Sequence, residues 1–299
     1  MTKTVNVKNK DIRKLFNLYL RGKKDKEFDN VLSKTTDGVL MPEELKHDLE
    51  AAKQYHNSVR QFVDVITVKE LEGTYVTDDP SNVFQELVDF GEGKQITEQD
   101  LKVKAVAYEL KRYGSFIKVS EELYQDADFD IVKFFFNEHA EKAVKTENKL
   151  VFNAIISNIP VKHLDSGQAL KTSLFKDLNP ALQREIKVIT NQDGLEKLAN
   201  EGLVENVIQP DGTLRRYLDI YPLEVYSNDE LAGNGNGIPV IYGALSREVK
   251  LFTRDRLEVK VNMQTGFVRE LILIRGIEDY DVKVLPNPTQ VIYGEIPLD

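Results

Sequence analysis

The chain has 299 residues, of which 41% are hydrophobic and 30% are charged, a composition that allows two packed lobes of a soluble globular protein. It contains no cysteine, which excludes disulfides, thiolate nucleophiles and cysteine zinc sites and suits a reducing cytoplasm. The 49 acidic residues outnumber the 40 lysines and arginines, for a formal charge of -9. This balance argues against a sequence-independent DNA binder, which needs a basic face. The apolar runs are shorter than a membrane-spanning helix, and the N-terminus lacks a signal-peptide core, so neither membrane insertion nor export is expected.

The first part of the chain is predicted to hold extended segments with little core of their own. Apolar residues spaced by three or four positions predict a short helix from Asp11 to Leu20, and "TTDGVLMPEELKHDLEAA" contains a second helical start. Two strand-like runs, 61–77 and 101–114, flank an acidic, glycine-bearing middle and predict an extended hairpin. Because a lone hairpin is marginally stable in water, it is expected to rest on a neighbour.

A long helix is predicted to follow a group of acidic residues. Ser120 is a good N-cap, and a fresh start near Asp128 leads into apolar residues that recur every three or four positions as far as Ile155. About 28 residues in helix would span roughly 42 Å, which is long for one lobe. After Pro160 the pattern changes to alternating helices and strands. A helix is predicted through "SGQALKTSLFKDLNPALQREI", and "LRRYLDIYPLEVYSNDE" is predicted to hold one or two strands broken by Pro222. The pattern is interrupted by the glycine-rich loop "LAGNGNG" and closes with several strands.

Three features invite a binding or catalytic hypothesis, and each has a simpler explanation. The glycine run 233–237 does not match a phosphate loop and lacks its strand–loop–helix context, which favours a surface loop. Ser120 has no nearby histidine and no G-x-S-x-G elbow, which favours helix capping over a nucleophile. The acids between Glu121 and Asp128 lack the calcium-loop pattern and are typical of a helix start. The four histidines form no i, i+4 pair, so we predict no metal site, no cofactor and no catalytic residue.

The predicted C-terminal strands carry closely interleaved charges of both signs. Arginines stand at positions 247, 254, 256, 269 and 275, among acidic residues at 248, 255, 258, 270, 278, 279 and 281. Two explanations remain open: these residues form solvated faces, or they form charge pairs across a contact between subunits.

Several segments in order along the chain resemble one known family. "YGSFIKVSEELYQDADFDIVKFFF" is similar to the start of the spine helix in tailed-bacteriophage major capsid proteins with the Hong Kong 97 fold, where K/R-Y-G leads to I-x-V-S-x-E-L and D-S/A-x-F-D. "FKDLNPALQREIKVITNQDGLEKLANEG" resembles that family's axial domain. "IPVIYGALSREVKLFTRDRLEVKV" and "RELILIRGIEDYDVKVLPNPTQVIYGEI" resemble its closing strands. With the arm-like "GVLMPEELKHDL", the likeness spans roughly residues 12–299.

The resemblance implies an α+β protein with the Hong Kong 97-like capsid fold. Its implied parts are an N-terminal segment (1–28), an N-terminal arm (29–57), an extended β-hairpin loop (70–112) and an axial α/β domain (160–259). The peripheral domain with the long spine helix would take residues 58–69, 113–159 and 260–299. The predicted lack of a core in the arm and in the hairpin is consistent with this fold, because such segments finish folding when they pack on neighbouring subunits.

The implied function is structural, without enzymatic activity or cofactor. The protein would self-assemble into pentamers and hexamers that form an icosahedral shell around double-stranded phage DNA, without sequence-specific contacts. The implied location is the virion capsid, after assembly in the cytoplasm of the host bacterium. The implied partners are further copies of itself, a portal and a maturation protease, with no membrane. Many relatives begin with a coiled-coil scaffolding region; here a short helix precedes the arm, so we expect a separate scaffolding protein or a processed N-terminus.

Two alternatives accompany this interpretation. An encapsulin-like bacterial nanocompartment shares the fold but encloses a cargo enzyme. Some relatives also join subunits by an isopeptide bond, which Lys94, Lys102 or Lys104 would form here with Asn287, using Glu295 as base; the simpler expectation is a non-covalent lattice. The candidate inter-subunit contacts are Lys94, Lys102, Lys104, Arg247, Arg254, Arg256, Glu270 and Arg275.

Overall fold

The computed structural model describes residues 9–22, 39–42, 45–78, 103–120, 122–123, 126, 128–233, 235, 237–254, 257–262 and 271–298. The described part is an α+β protein with a six-stranded sheet, a seven-stranded sheet and a separate two-stranded hairpin. Within it, the helices are α1 (Asn9–Leu20), α2 (Lys46–Gln54), α3 (Ile131–Asn158), α4 (Gly167–Lys176), α5 (Gln192–Asn200) and α6 (Leu245–Glu248). None of these helices is both long enough and apolar enough to cross a membrane.

The strands run from one end of the described chain to the other. They are β1 (Val39–Leu40), β2 (Asp64–Thr67), β3 (Glu72–Asp78), β4 (Val103–Glu109), β5 (Lys111–Ser120), β6 (Val161–His163), β7 (Lys187–Asn191), β8 (Val204–Ile208), β9 (Leu214–Leu218), β10 (Tyr221–Tyr226), β11 (Ile238–Gly243), β12 (Val249–Thr253), β13 (Glu258–Asn262), β14 (Leu271–Val284) and β15 (Val291–Ile296).

The predicted long helix is confirmed by α3, which has 28 residues. Asp130 accepts a hydrogen bond from the backbone N–H of Lys133 at 3.0 Å, so a side chain satisfies one of the free amide donors at the helix start. The first half of α3 buries Phe135 and Phe136, and the second half buries Phe152 and Ile155. The helix therefore supplies side chains to more than one core.

The six-stranded sheet is organised around the long strand β14. Its order is β1-β13-β14-β12-β2, and β5 also pairs with β14. All these pairings are antiparallel except that of β12 with β2. We call the side that packs on α3 the inner face and the opposite side the outer face. Ile117, Val119, Val259 and Ile274 point inward and join Phe136 of α3 in one hydrophobic cluster.

Helix α1 completes that cluster, as its apolar spacing predicts. Phe16 and Leu20 are fully buried and pack in the same cluster as α3. Arg13 bridges Asp48 of α2 at 2.5 Å and Asp130 at 3.0 Å. Helix α1 thus packs against α3, in agreement with the expectation that the first part of the chain has little core of its own.

The seven-stranded sheet has the order β6-β15-β11-β7-β10-β9-β8. Helices α4 and α5 contribute Leu170, Leu174 and Leu198 to its hydrophobic cluster. A further cluster joins Phe152 and Ile155 of α3 to Ile241 of this sheet and to Leu251 of the six-stranded sheet. The end of α3 therefore packs between the two sheets.

The hairpin differs from its prediction in where its arms begin and end. The predicted run 61–77 divides into β2, which belongs to the six-stranded sheet, and β3, which pairs with β4. The predicted run 101–114 likewise divides into β4 and the start of β5. On one side of the hairpin, Tyr75 and Tyr108 pack on Phe252, with ring centroids 5.9 and 4.9 Å apart. The acidic middle of the hairpin, residues 79–102, lies outside the described residues.

Two local predictions in the second half of the chain were wrong, and one strand was missed. The helix predicted through "SGQALKTSLFKDLNPALQREI" ends at Lys176, and Pro180 opens a separate 3-10 turn. The run 214–230 was expected to hold one or two strands broken by Pro222, but Pro222 lies within β10, and the break falls at Asp219, whose φ is 59°. Strand β8 was not predicted.

Sheet membership also differs from the predicted domain ranges at two places. Strand β12, which falls inside the range 160–259, belongs to the six-stranded sheet, whereas β15, inside 260–299, belongs to the seven-stranded sheet. Strand β15 pairs antiparallel with β11 along six residues. The chain thus returns to the second sheet at its end, and the peripheral and axial domains remain a prediction.

Candidate inter-subunit surfaces

A network of buried charges joins α2, α3 and β14 on the inner face of the six-stranded sheet. Lys53 lies 2.7 Å from a carboxylate oxygen of Glu278. Arg60 donates two hydrogen bonds, of 2.6 and 2.8 Å, to Glu147. The side chains of Lys53, Glu147 and Glu278 are each at most 7% exposed. Because a buried charge must be paired to be tolerated, this network fixes α2 against α3.

These contacts shift the pKa values of Glu278 and Tyr280. Burial alone would raise the pKa of Glu278, but the positive Lys53 and the hydrogen bond with His139 outweigh it and hold the pKa well below its usual 4.5. Burial and the nearby carboxylates of Glu147 and Glu278 raise the pKa of Tyr280 well above 10. Glu278 is therefore a stable anion, and the Tyr280 hydroxyl stays protonated and donates to it.

Ser115, His139 and Glu278 form a hydrogen-bonded chain beside a cavity of about 350 Å³. Ser115 Oγ lies 2.7 Å from His139 Nδ1, and His139 Nε2 lies 2.7 Å from Glu278. This order resembles the chain of a serine hydrolase. However, Glu278 also holds Lys53 and Tyr280, and Ser115 lies inside strand β5 opposite Gly276 rather than on an exposed turn. These features favour a structural role for the hydrogen-bonded series Ser115, His139 and Glu278.

The structure places the described candidate contacts in three different settings. Lys104 donates to the backbone carbonyl of Pro286 at 3.0 Å. Arg247 donates two hydrogen bonds to Glu185, one of them 2.6 Å long, and Arg254 lies 3.6 Å from Asp279. Lys94, Lys102, Arg256 and Glu270 lie outside the described residues. Arg247 and Arg254 therefore contact acids of their own chain, and a role for them between subunits stays a prediction.

Arg275 is different because part of its guanidinium group has no partner. Its Nε atom is buried and makes no hydrogen bond to the described residues. The other buried side-chain atom in this state, within the same part of the chain, is the hydroxyl of Tyr226. An unsatisfied buried donor is costly and calls for an acceptor.

The turn before β15 brings together some of the groups that a covalent crosslink would use. Asn287, with φ of 55°, follows Pro286, whose carbonyl Lys104 contacts. The carboxylate at this turn is Glu248, which accepts from the backbone N–H groups of residues 289, 290 and 291 at 2.7 to 3.0 Å. Burial raises the pKa of Glu248. Sequence reasoning had named Glu295, which is buried in β15 and accepts from Tyr293. The crosslink itself stays a prediction.

The remaining motifs show local structural roles. The Ser120 hydroxyl accepts from the backbone N–H of Leu123 at 3.4 Å, a capping contact. Gly233 and Gly235 of the glycine-rich run have φ of 67° and 83°, which residues other than glycine rarely adopt. Among the described residues, no group of three or more histidine or acidic side chains is placed to hold a metal ion.

Two exposed surfaces carry apolar side chains that the described chain leaves uncovered. On the hairpin side opposite the tyrosines, Val76 and Val103 are 61% and 57% exposed. On the hairpin of β8 and β9, Ile208 and Leu214 lie directly opposite each other and are 75% and 52% exposed. Exposed apolar side chains mark contact surfaces when they form a large contiguous patch, so a role for these two surfaces between subunits stays a prediction.

A family comparison identifies what kind of molecule carries these surfaces. The model of the phage capsid family matches residues 37–292, which is most of the chain. The chain belongs to the phage capsid family. It is therefore a capsid shell protein, and the family's members are structural proteins. No match was found among curated protein sequences.

Solved structures show that this capsid protein has the Hong Kong 97 fold. The capsid of a native GTA particle aligns with a TM-score of 0.52 and 14% identity over 81% of this chain and 90% of that chain. The virus-like particle from Pyrococcus furiosus gives 0.52 and 15% over 85% and 98%. The SrpI encapsulin of Synechococcus elongatus gives 0.52 and 11% over 83% and 95%. Identities this low establish the fold of the capsid protein and leave open what the shell encloses.

Proposed function

We propose that this chain is the major capsid protein of a tailed bacteriophage. It assembles into pentamers and hexamers that build an icosahedral shell around double-stranded DNA. Family membership gives the shell, and the half-covered hairpin is the observation that carries the mode of assembly. One side of the hairpin rests on Phe252 of its own chain, while Val76 and Val103 on the other side face solvent. Burying those side chains against another copy adds apolar contact area to the lattice.

The two sheets take different places in this shell. The six-stranded sheet with α3 forms the peripheral domain, and the seven-stranded sheet forms the axial domain around the capsomer axis. The exposed pair Ile208 and Leu214 lies at the end of the axial sheet formed by β8 and β9, where it meets neighbours in the ring. Assembly takes place in the host cytoplasm with a separate scaffolding protein, a portal and a maturation protease.

The net charge of -9 supports DNA as the content. A subunit with a net negative charge does not bind the phosphate backbone tightly, so packaged DNA would be held by confinement and remain free to leave. The alternative, an encapsulin-like compartment with an enzyme inside, shares the fold and predicts a protein content.

Electron microscopy of the purified protein tests assembly, and analysis of particles from an infected or expressing bacterium tests the content. We expect closed shells or rings of five and six subunits, and nuclease-protected DNA in particles from infected cells. A second protein packed inside in place of DNA would support the compartment, and a monomer at every concentration and salt condition would contradict both.

A further inference from the structure

Strand β5 lies at an edge of the six-stranded sheet. Its 10 residues pair with β14, and no other described strand pairs with it. In an antiparallel strand the N–H and C=O groups of one residue point the same way, and this direction alternates along the strand. The carbonyl of Phe116 accepts from Lys142 of α3 at 3.2 Å and therefore points away from β14. The backbone groups of Arg112, Gly114 and Lys118 point away from β14 as well.

These edge groups make no backbone hydrogen bond to another described segment. Lys142 covers the Phe116 carbonyl, but its side chain is 42% exposed and its nearest carboxylate, Glu138, lies 3.4 Å away. A long exposed side chain of this kind moves aside at little cost. Strand β5 thus presents an unpaired edge, which is a template for a further strand.

A cavity of about 350 Å³ lies between this edge and helix α3, with Tyr113 and Ala143 in its wall. The polar side chains of the wall are paired with each other: Ser115 lies 2.7 Å from His139, and His139 lies 2.7 Å from Glu278. The backbone groups of β5 remain as hydrogen-bonding groups beside the cavity. This arrangement suits an extended chain that pairs with β5 and inserts one side chain, rather than a small ligand held by polar side chains.

The rim of the cavity is positively charged. Lys111 and Lys118 of β5 are exposed and form no ion pair with a described carboxylate, and Lys142 adds a third cation. Phe116, between them along the strand, is 59% exposed. Carboxylates on an added strand would lie next to these lysines, and opposite charges on neighbouring strands are stabilising. An aromatic or aliphatic side chain complements the cavity itself.

The other described strand edges of this chain carry few acids. Strand β6 contains Lys162 and His163, and β8 has one acid, Glu205. The acids of β3, Glu72 and Asp78, stand at its opposite ends, and β1 and β2 have two and four residues. The edge of β5 is therefore better matched by a segment of a different protein than by these strands of a second copy.

We propose that the edge of β5 binds an extended acidic segment of a different protein. The segment adds a strand to the six-stranded sheet and places an aromatic or aliphatic side chain in the cavity beside α3. Main-chain hydrogen bonds provide affinity, and the cavity with its rim of lysines selects the sequence. Lys142 leaves the Phe116 carbonyl and pairs with a carboxylate of the bound segment. This inference does not depend on what the shell encloses.

Fluorescence anisotropy with synthetic peptides tests the strand pairing. The probe is a labelled peptide in which glutamate alternates with valine, with phenylalanine at its centre. Two further peptides are N-methylated, one at every glutamate and the other at every apolar residue. Because the N–H groups of a strand alternate in direction, only one of these patterns removes the bonds to β5.

We expect one methylated peptide to bind like the parent and the other about tenfold or more weakly. A peptide with lysine in place of glutamate should not bind. Equal losses for the two methylated peptides, binding of the lysine peptide as tight as that of the parent, or no saturable binding of the parent would each overturn the proposal. This comparison needs no variant of the protein.

Photocrosslinking and one pair of variants test the location. A benzoylphenylalanine at the centre of the peptide should crosslink to Tyr113 or Ala143, which mass spectrometry identifies. Lys142→Glu should weaken binding about fivefold or more. The matched control is Lys145→Glu on the same helix, where Lys145 is 57% exposed and pairs with Glu141. Crosslinks confined to other surfaces, or equal effects of the two variants, would contradict this site.

The same peptide is titrated into unassembled subunits and into assembled shells. Binding to both supports the proposal. Binding to subunits that is lost in shells would show that a second copy covers the edge of β5, and the proposal of a different protein would be wrong. If the protein forms no shells at all, the proposed function fails, while the titration of subunits still decides whether the edge of β5 accepts an acidic strand.

Discussion

On the inner face of the six-stranded sheet, Lys53 and Arg60 meet carboxylates of their own chain at 2.7 and 2.6 Å. On the outer face of the same sheet, Lys118 and Lys260 are exposed and Arg275 keeps a buried nitrogen without a partner among the described residues. Both faces belong to one sheet and share strand β14. The difference in how their charges are paired therefore does not come from local secondary structure.

The contrast distinguishes charges that the fold needs from charges that it does not need. Desolvated charges destabilise a subunit unless they are paired within it, so the inner network has to form when the subunit folds. Exposed cations remain solvated at little cost. Breaking the inner network should therefore destabilise the subunit, whereas changing the exposed cations of the outer face should leave its stability nearly unchanged.

The largest expected effect comes from removing the anion shared by the inner network. Glu278→Ala leaves Lys53 and His139 buried without their acceptor, and loss of one member of a buried pair costs about 3–5 kcal/mol. Urea unfolding of unassembled subunits measures the change. The matched control is Glu141→Ala, which removes the exposed pair with Lys145, 2.8 Å apart, at a cost of about 0.5 kcal/mol or less. Equal effects of the two changes would show that the inner network does not stabilise the fold.

A smaller effect is expected from disturbing the space around His139. A Cβ atom on Gly276 would lie 2.5 Å from His139 Nδ1, whereas a Cβ atom on Gly114, in the adjacent strand, would have its nearest neighbour at an ordinary 3.6 Å. Gly276→Ala should therefore destabilise the subunit by about 1–3 kcal/mol through overpacking.

Gly114→Ala is the control for a methyl group added to the same sheet, and its unfolding free energy should stay within about 0.5 kcal/mol of the wild type. Thermal or urea unfolding distinguishes the two variants. If Gly276→Ala were as stable as Gly114→Ala, the contact between β14 and His139 would be looser than the structure shows.

The inner network also marks where sequence reasoning succeeds and where it fails. Helix α3 was predictable because its apolar residues repeat every three or four positions over 28 residues. The hairpin was recognisable from strand alternation and turn residues, although the predicted runs 61–77 and 101–114 were longer than its strands β3 and β4. Lys53, His139 and Glu278 are far apart in the chain, and no local pattern shows that they meet; Glu278 was grouped with acids of solvated faces or subunit contacts.

Strand β8 was missed for a related reason. Four of its five residues are exposed and it lies at the edge of the seven-stranded sheet, so it lacks the alternation of buried and exposed residues that identifies a strand. Pro222 was misleading because it stands near the start of β10, where proline is tolerated. On the outer face of the six-stranded sheet, the sequence supplied the charges, whereas the strand register was needed to show that Lys118, Arg275 and Lys260 share a face.

The smallest expected effect is the pH dependence that Glu278 contributes. Its folded pKa is well below 4.5, because Lys53 and His139 outweigh the effect of burial, so unfolding takes up a proton between these two values. Its contribution to stability is therefore complete above pH 4.5 and is lost as the pH falls toward the folded pKa. The stability difference between wild type and Glu278→Gln should shrink by about 1 kcal/mol over the first pH unit below 4.5.

Unfolding of both proteins in urea between pH 7 and pH 3.5 measures this difference, and other titrating groups largely cancel because both chains carry them. Above pH 4.5 the difference should be constant, since Glu278 is ionised whether the chain is folded or unfolded. A difference that grew on acidification would mean that Glu278 takes up its proton more readily in the folded subunit, and that Lys53 and His139 do not outweigh its burial.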